Sequence, residues 1–212
     1  MVYLIIFVRK LITMKNFNLL LFAAAAAFVS SCGGAAEEKM EETAEAATYT
    51  MDMAASSLTW TGMKSAEDKH SGTIKMTKGS VETLGDALTS GSFTIDMKSL
   101  STTDDMPADK VEMLNGHLKA EDFFNVEKYP TATVKVGEYK DGKLPTTITL
   151  MGVDFINEVP VNVEMKDDKV MITGSFDFDF SGISTKGFTK NPESGEQIQS
   201  LFKFDLNLVL IK

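Results

Sequence analysis

One cysteine, two histidines and one tryptophan are all that this 212-residue chain holds of those types. With Cys32 the only thiol, no disulfide can staple the chain to itself, and cysteine redox chemistry and cysteine-based zinc sites are excluded from the body of the sequence. The histidines, His70 and His117, occur in no His-x-His or His-Glu-x-x-His spacing, so no local metal site is expected. There is no Gly-rich phosphate loop, no Gly-x-Ser-x-Gly elbow and no repeat of domain-building length. Basic residues are also scarce, 21 against 30 acidic ones, for a formal net charge of −9. A surface of that sign repels phosphate backbones, so nucleic acid is not expected as a partner.

Long apolar runs are short as well. The run Leu19 to Phe28 has ten residues, too few to cross a hydrocarbon layer of about 30 Å as a helix. Its setting fits an export signal instead: Met14-Lys15 in front, then Val29-Ser30-Ser31 and Cys32. Small residues before a lone cysteine match the bacterial lipobox, in which the cysteine becomes the first mature residue and carries lipid. Residues 1–31 are therefore expected to be a signal peptide, with Met14 rather than Met1 as the working start. Cys32 is the expected lipid attachment site, anchoring the protein to a membrane of the bacterial cell envelope, on the periplasmic side or the outer surface. Arg9, Lys10 and Lys15 are the only charges in that leader, so the chain after it carries −12. Residues 33–47 (GGAAEEKMEETAEAA) are small and acidic and bury too little to order themselves, which reads as a flexible tether.

From Thr48 onward the pattern changes to period two. Leu58 and Trp60, Phe93 and Ile95, Val134 and Val136, Ile148 and Leu150 each flank a polar residue, as half-buried strands require. The stretch Val159 to Met165 and the rows Phe176, Phe178, Phe180 and Phe202 to Leu210 repeat the pattern. Turn signals such as Lys78-Gly79-Ser80 and Asp141-Gly142-Lys143 separate them. About eight short antiparallel strands in residues 48–212 predict an all-β barrel or sandwich. One segment breaks the rhythm: Val111, Leu114 and Leu118 recur at helical spacing after Asp104-Asp105-Met106-Pro107. It predicts a helix over about Pro107 to Leu118, capped by the aspartates, with His117 complementing its C-terminal end.

Catalytic constellations are hard to find. Asp104/Asp105 reads as a cap, Asp167/Asp168 as a turn and Asp177/Asp179 as the wet face of a strand; Ser71-Gly72 and Ser181-Gly182 read as turn or strand-end residues. No catalytic residue is assigned and no enzyme activity is expected. The phenylalanine rows are core by spacing, although a closed barrel of about eight strands can also hold a guest.

The segment His117-Leu118-Lys119, followed by Asp122-Phe123-Phe124 and by Tyr129-Pro130-Thr131-Ala132-Thr133, closely resembles the signature of the YceI-like family. Weaker likenesses run in order along the chain: Leu58-Thr59-Trp60 with Lys69-His70-Ser71-Gly72, then Gly91 to Leu100, then Thr147 to Val153. The resemblance implies an extended lipocalin-like antiparallel β-barrel with one inserted α-helix. It also implies a polyisoprenoid chain held inside, a secreted or periplasmic location and no catalytic residues. Phe176 to Ile183 lacks the arginine that members often carry late in the chain, which puts an anionic head-group contact by that residue in doubt.

The resemblance turns the apolar rows into candidate ligand lining: Trp60, Phe93, Ile95, Val134, Val136, Ile148, Leu150, Phe176, Phe178 and Phe204. The expected ligand is an isoprenoid or other fatty amphiphile, with no metal and no further cofactor. The alternative is an exposed interaction module whose barrel is filled by its own side chains. Monomer and homodimer are both open. Phe123 and Phe124, adjacent in sequence, are expected to be buried in different contact sets at the junction of helix and barrel.

Overall fold

The computed structural model describes residues 44–65, 67–183, 185–190, 195 and 197–212. The expected signal peptide, the Met14 start, Cys32 and the tether up to residue 43 lie outside the described residues.

Alternating apolar residues become ten strands in one antiparallel sheet. They are β1 (Ala46–Met51), β2 (Ser57–Met63), β3 (Lys69–Leu84), β4 (Ala87–Thr102), β5 (Thr131–Val136), β6 (Lys143–Leu150), β7 (Val153–Pro160), β8 (Asn162–Lys166), β9 (Lys169–Asp179) and β10 (Leu201–Ile211). The expected tether thus ends earlier than its composition suggests, since Ala46 and Ala47 already pair with Leu84 and Thr83.

Ten strands occupy only eight positions around the barrel. β1 and β2 share one position between β3 and β10: β1 pairs with the end of β3 and β2 with its start. The break between them is a turn at Asp52, whose Oδ1 accepts from the N–H groups of Ala54 and Ala55. β7 and β8 share another position. β7 pairs with β6 along its whole length, the chain bends at Val161, and β8 pairs Asn162 to Lys166 against Thr173 to Lys169 of β9. This bent segment closes the sheet on itself. Beyond Thr173, β9 has no strand partner on that side among the described residues.

The long β3–β4 hairpin turns at Gly85, whose positive φ of 58° a glycine adopts without strain. Three register shifts along this hairpin add local twist, which lets sixteen-residue strands wrap a barrel. Of the two readings of Ser71 and Gly72, turn or strand end, the second holds: they lie near the start of β3. Gly72 pairs with Trp60, and a Cβ there would collide with the Ser101 carbonyl oxygen and stand 2.6 Å from the indole. A glycine at that position lets the tryptophan lie flat across the neighbouring strand.

One α-helix, α1 (Ala108–Lys119), is inserted between β4 and β5 and packs on β4. Its start differs from expectation: no side chain caps it, and the Pro107 carbonyl accepts from Lys110 and Val111. Asp104 is used elsewhere, as its two oxygens accept from His70 Nδ1 at 2.6 Å and from the Ser71 N–H at 2.9 Å. Asn115 ties the middle of α1 to β4, its Oδ1 accepting from the Thr102 N–H at 2.7 Å. At the other end it is the His117 carbonyl, not its ring, that accepts from Ala120. The ring packs edge-on against Phe123, centroid to centroid 5.7 Å.

Candidate functional site

Along the barrel interior two apolar clusters meet. One, on the α1 side, contains Trp60, Leu118, Phe124, Phe180 and Phe202; the other contains Tyr49, Phe93, Leu144, Val159 and Leu208. A cavity of about 130 Å³ is lined by residues of both. Strand alternation explains why its walls are apolar: every second residue of β2 to β6, β9 and β10 points inward and the polar partners face water.

Of the ten sequence candidates, all border this cavity except Phe178. Phe178 is on the inward face of β9 and buried, but its ring packs on Phe180 at 4.9 Å and on Phe155 of β7 at 6.0 Å. It seals the edge where β9 lacks a strand neighbour, which takes it off the cavity wall. The sequence reading left out Leu144, Val159, Val161, Ile172 and Leu208, which border the cavity at its far end. Their alternation was visible; nothing in it distinguished lining from packing.

The wall offers almost no chemistry. Thr146 and Trp60 are the lining residues with polar side-chain atoms, and both are satisfied. The Thr146 hydroxyl donates to the Leu144 carbonyl at 2.9 Å and the indole N–H to the Thr73 carbonyl at 3.3 Å. Among the described residues no carboxylate, lysine or histidine borders it. Asp177 and Asp179 face outward. Asp179 is held below the usual carboxylate range, chiefly by the Ser200 hydroxyl and then by the Ser181 N–H. Among the described residues no three His, Cys, Asp or Glu side chains are grouped to hold a metal ion.

The signature residues lie around the α1 end of the cavity. Phe123 and Phe124 are both buried, and each amide is locked by a short-range bond, to the carbonyls of Ala120 and Leu118. Asn125, in the left-handed region at φ 43°, turns the chain tightly enough to bury both neighbours. Their surroundings differ but overlap. Phe123 meets His117 and lies over Gly187, where a Cβ would strike its ring. Phe124 meets Phe202 at 6.1 Å and borders the cavity. Both rings contact each other and Phe188. Asp122 contributes its carbonyl, which accepts from Gly187 and from the Thr185 hydroxyl, fastening the segment after β9 to the end of α1. Tyr129 stands under the Lys128 ammonium at 5.0 Å, and the Pro130 carbonyl accepts from Met97 to start β5 beside β4. Leu118 is the one buried residue of α1 and closes the cavity at this end together with Trp60 and Phe202.

Solved structures of the same architecture match the chain at low identity, two of them as follows. A polyisoprenoid binding domain from Saccharophagus degradans, implicated in plant cell wall breakdown, is 18% identical with a TM-score of 0.59, over 77% of this chain and 97% of that one. Burkholderia cenocepacia BcnA is 19% identical with a TM-score of 0.61, over 75% of this chain and 98% of that one. No curated protein matches the chain in sequence. The family model of the YceI-like domain matches residues 49–209, from within β1 to within β10, and the chain belongs to that family.

Proposed function

We propose that this protein binds a polyisoprenoid or similar lipid-like amphiphile inside its barrel and acts by sequestering it, from a lipid anchor at Cys32 in the bacterial cell envelope. The observation that carries the reading is the internal cavity whose lining is apolar apart from two already satisfied polar groups. The family membership and the polyisoprenoid binding domain of similar fold support it. Burial is the mechanism. Each methylene-sized unit removed from water contributes about 0.8 kcal/mol, so chain length, not polar contact, sets affinity. A space of about 130 Å³ is near the size that takes a benzene-sized guest in other proteins. A longer chain therefore has to extend beyond it, past Trp60, Leu118 and Phe202. The apolar lining supports a binding role for the cavity.

Native mass spectrometry of protein purified gently from its own cells tests this. A co-purifying mass of a prenyl or fatty chain is expected. Protein that is consistently empty and takes up no prenyl probe would refute the proposal.

A further inference from the structure

The cavity is long but holds little. Its lining follows β10 from Phe202 to Leu208, about 20 Å of strand at the usual rise per residue, yet the space amounts to about 130 Å³. What it lacks is width, and a methyl-branched prenyl chain needs width along its whole course. A wall that takes such a chain has to yield somewhere.

One junction is built differently from the rest. Neighbouring strands around the barrel are otherwise joined by ladders of main-chain hydrogen bonds. The exception is the seam between β7 and the second half of β9. The two strands meet at Gly174, where a Cβ would stand 2.9 Å from the Pro160 carbonyl oxygen. From there to Asp179 no main-chain bond joins them among the described residues, so β7 is held from one side only, by β6.

Phe155 fills the seam. It faces inward from β7, opposite Ile148 of β6, and its ring meets Phe178 at 6.0 Å and Phe180 at 5.5 Å, both edge to face. Ile148 and Phe180 border the cavity, so Phe155 stands directly behind the wall. Phe155 is only half-buried, and Gly182 beside it offers no side chain: a Cβ there would lie 3.0 Å from the ring. Moving Phe155 breaks ring contacts and no ladder. Widening the barrel at another junction breaks hydrogen bonds that are costly to leave unmade.

We propose that the β7–β9 seam is where the barrel widens to take its guest, and that Phe155 is the side chain that sets the width admitted. The inference rests on the cavity being a lipid site. With Phe155 inward the space fits a benzene-sized guest. With its ring swung out from between Ile148 and Phe180, the space fits the methyl branches of a prenyl chain.

A clamp across the seam tests this. A Cβ at Gly182 would stand 3.9 Å from Cγ1 of Val153, at the open end of the seam, a separation that a disulfide can span. Val153→Cys with Gly182→Cys, in a Cys32→Ser chain so that no third thiol competes, gives one protein with the seam closed when oxidised and free when reduced. Two probes are compared: benzene, and farnesol, with more than twice its carbons and a row of methyl branches. Farnesol, followed through the emission of Trp60 on the cavity wall, should bind the reduced form about tenfold more tightly than the oxidised one, the scale of one or two ring contacts. Benzene, followed by methyl NMR shifts, should bind both forms alike. In the otherwise unaltered chain, Phe155→Ala should tighten farnesol binding to a similar degree; Ile156→Ala, on the outer face of β7 and 80% exposed, should leave it unchanged. If the two cysteines do not join, Phe155→Ala decides alone. Equal farnesol affinity of the oxidised and reduced forms, or of Phe155→Ala and the unaltered protein, would overturn the seam and leave the lipid cavity standing. Benzene binding without farnesol binding in any form would overturn the two readings together.

Discussion

Leu118→Ala is the substitution that bears most directly on the partition that Trp60, Leu118 and Phe202 form at the α1 end of the cavity. Leu118 is the only buried side chain of α1 and borders the cavity on one side and, on the other, a second space of about 450 Å³ beside α1. Removing three carbons forfeits about 2 kcal/mol of transfer energy. The usual range for such a truncation is roughly 2–5 kcal/mol, its upper part coming from the new void. Here the side chain already adjoins empty space on two sides, so fewer packed neighbours lose contact and about 2–3 kcal/mol is expected. Urea unfolding of ligand-free protein measures it, read as a shift in midpoint at unchanged slope. The substitution also joins the two spaces. Association and release of a prenyl probe should both accelerate, about tenfold for each 1.4 kcal/mol the partition adds to the barrier. Stopped-flow quenching of Trp60 follows both rates. A stability loss under about 1 kcal/mol, or unchanged rates despite the expected loss, would show that Leu118 does not separate the spaces.

Thr83 is buried in β3, and among the described residues its hydroxyl has no hydrogen-bond partner; Thr83→Val should therefore stabilise the fold by about 1 kcal/mol in urea unfolding. The two signature rings should separate in effect: Phe123→Leu and Phe124→Leu each lose roughly 1–2 kcal/mol of stability, but only Phe124→Leu, on the cavity wall, should change prenyl affinity. Asp179 has its carboxyl lowered by Ser200 first and Ser181 second, so its contribution to stability is present above the unfolded carboxylate value and disappears as pH falls through the lower folded one. Because the group is largely exposed, that contribution is no more than about a few tenths of a kcal/mol, and the sharper readout is an NMR titration in which Ser200→Ala moves the Asp179 carboxyl back up.

The strands were legible wherever one face is wet, since period-two alternation and sheet burial are the same fact. Their interruptions were not. Val159, Val161, Val163 and Met165 alternate without a break through the bend that ends β7 and starts β8, because inward-facing residues stay inward on both sides of the corner. Pro160 at the end of β7 was the one local signal, as proline suits strand ends and edges. The helix showed in its periodicity, but its cap did not: Asp104 sits where a cap would, yet its partner His70 is 34 residues earlier, beyond reach of any local rule. Phe178 failed as a lining residue for a similar reason, since Phe155, which covers it, belongs to another strand. The space under α1 was the least legible feature, because Lys64 follows β2, His70 stands in β3 and Lys110 and His117 in α1, and only the fold brings them together.

The cavity itself weighs against a barrel that merely fills its own interior. At about 24 cal/mol per Å³, a void of about 130 Å³ leaves the empty fold near 3 kcal/mol less stable than a packed one. That is a large share of the roughly 5–15 kcal/mol by which domains are usually stable. No disulfide is there to offset it, since the sequence holds one cysteine. The chain has side chains that would close the gap: Ala132 lies on the wall and stays small, as do valines at 134, 136, 159 and 161. Larger residues at these positions would raise stability by mass of packing alone. A void walled by small residues at its sides and by Trp60, Leu118 and Phe202 at one end is the arrangement a guest chain would itself complete.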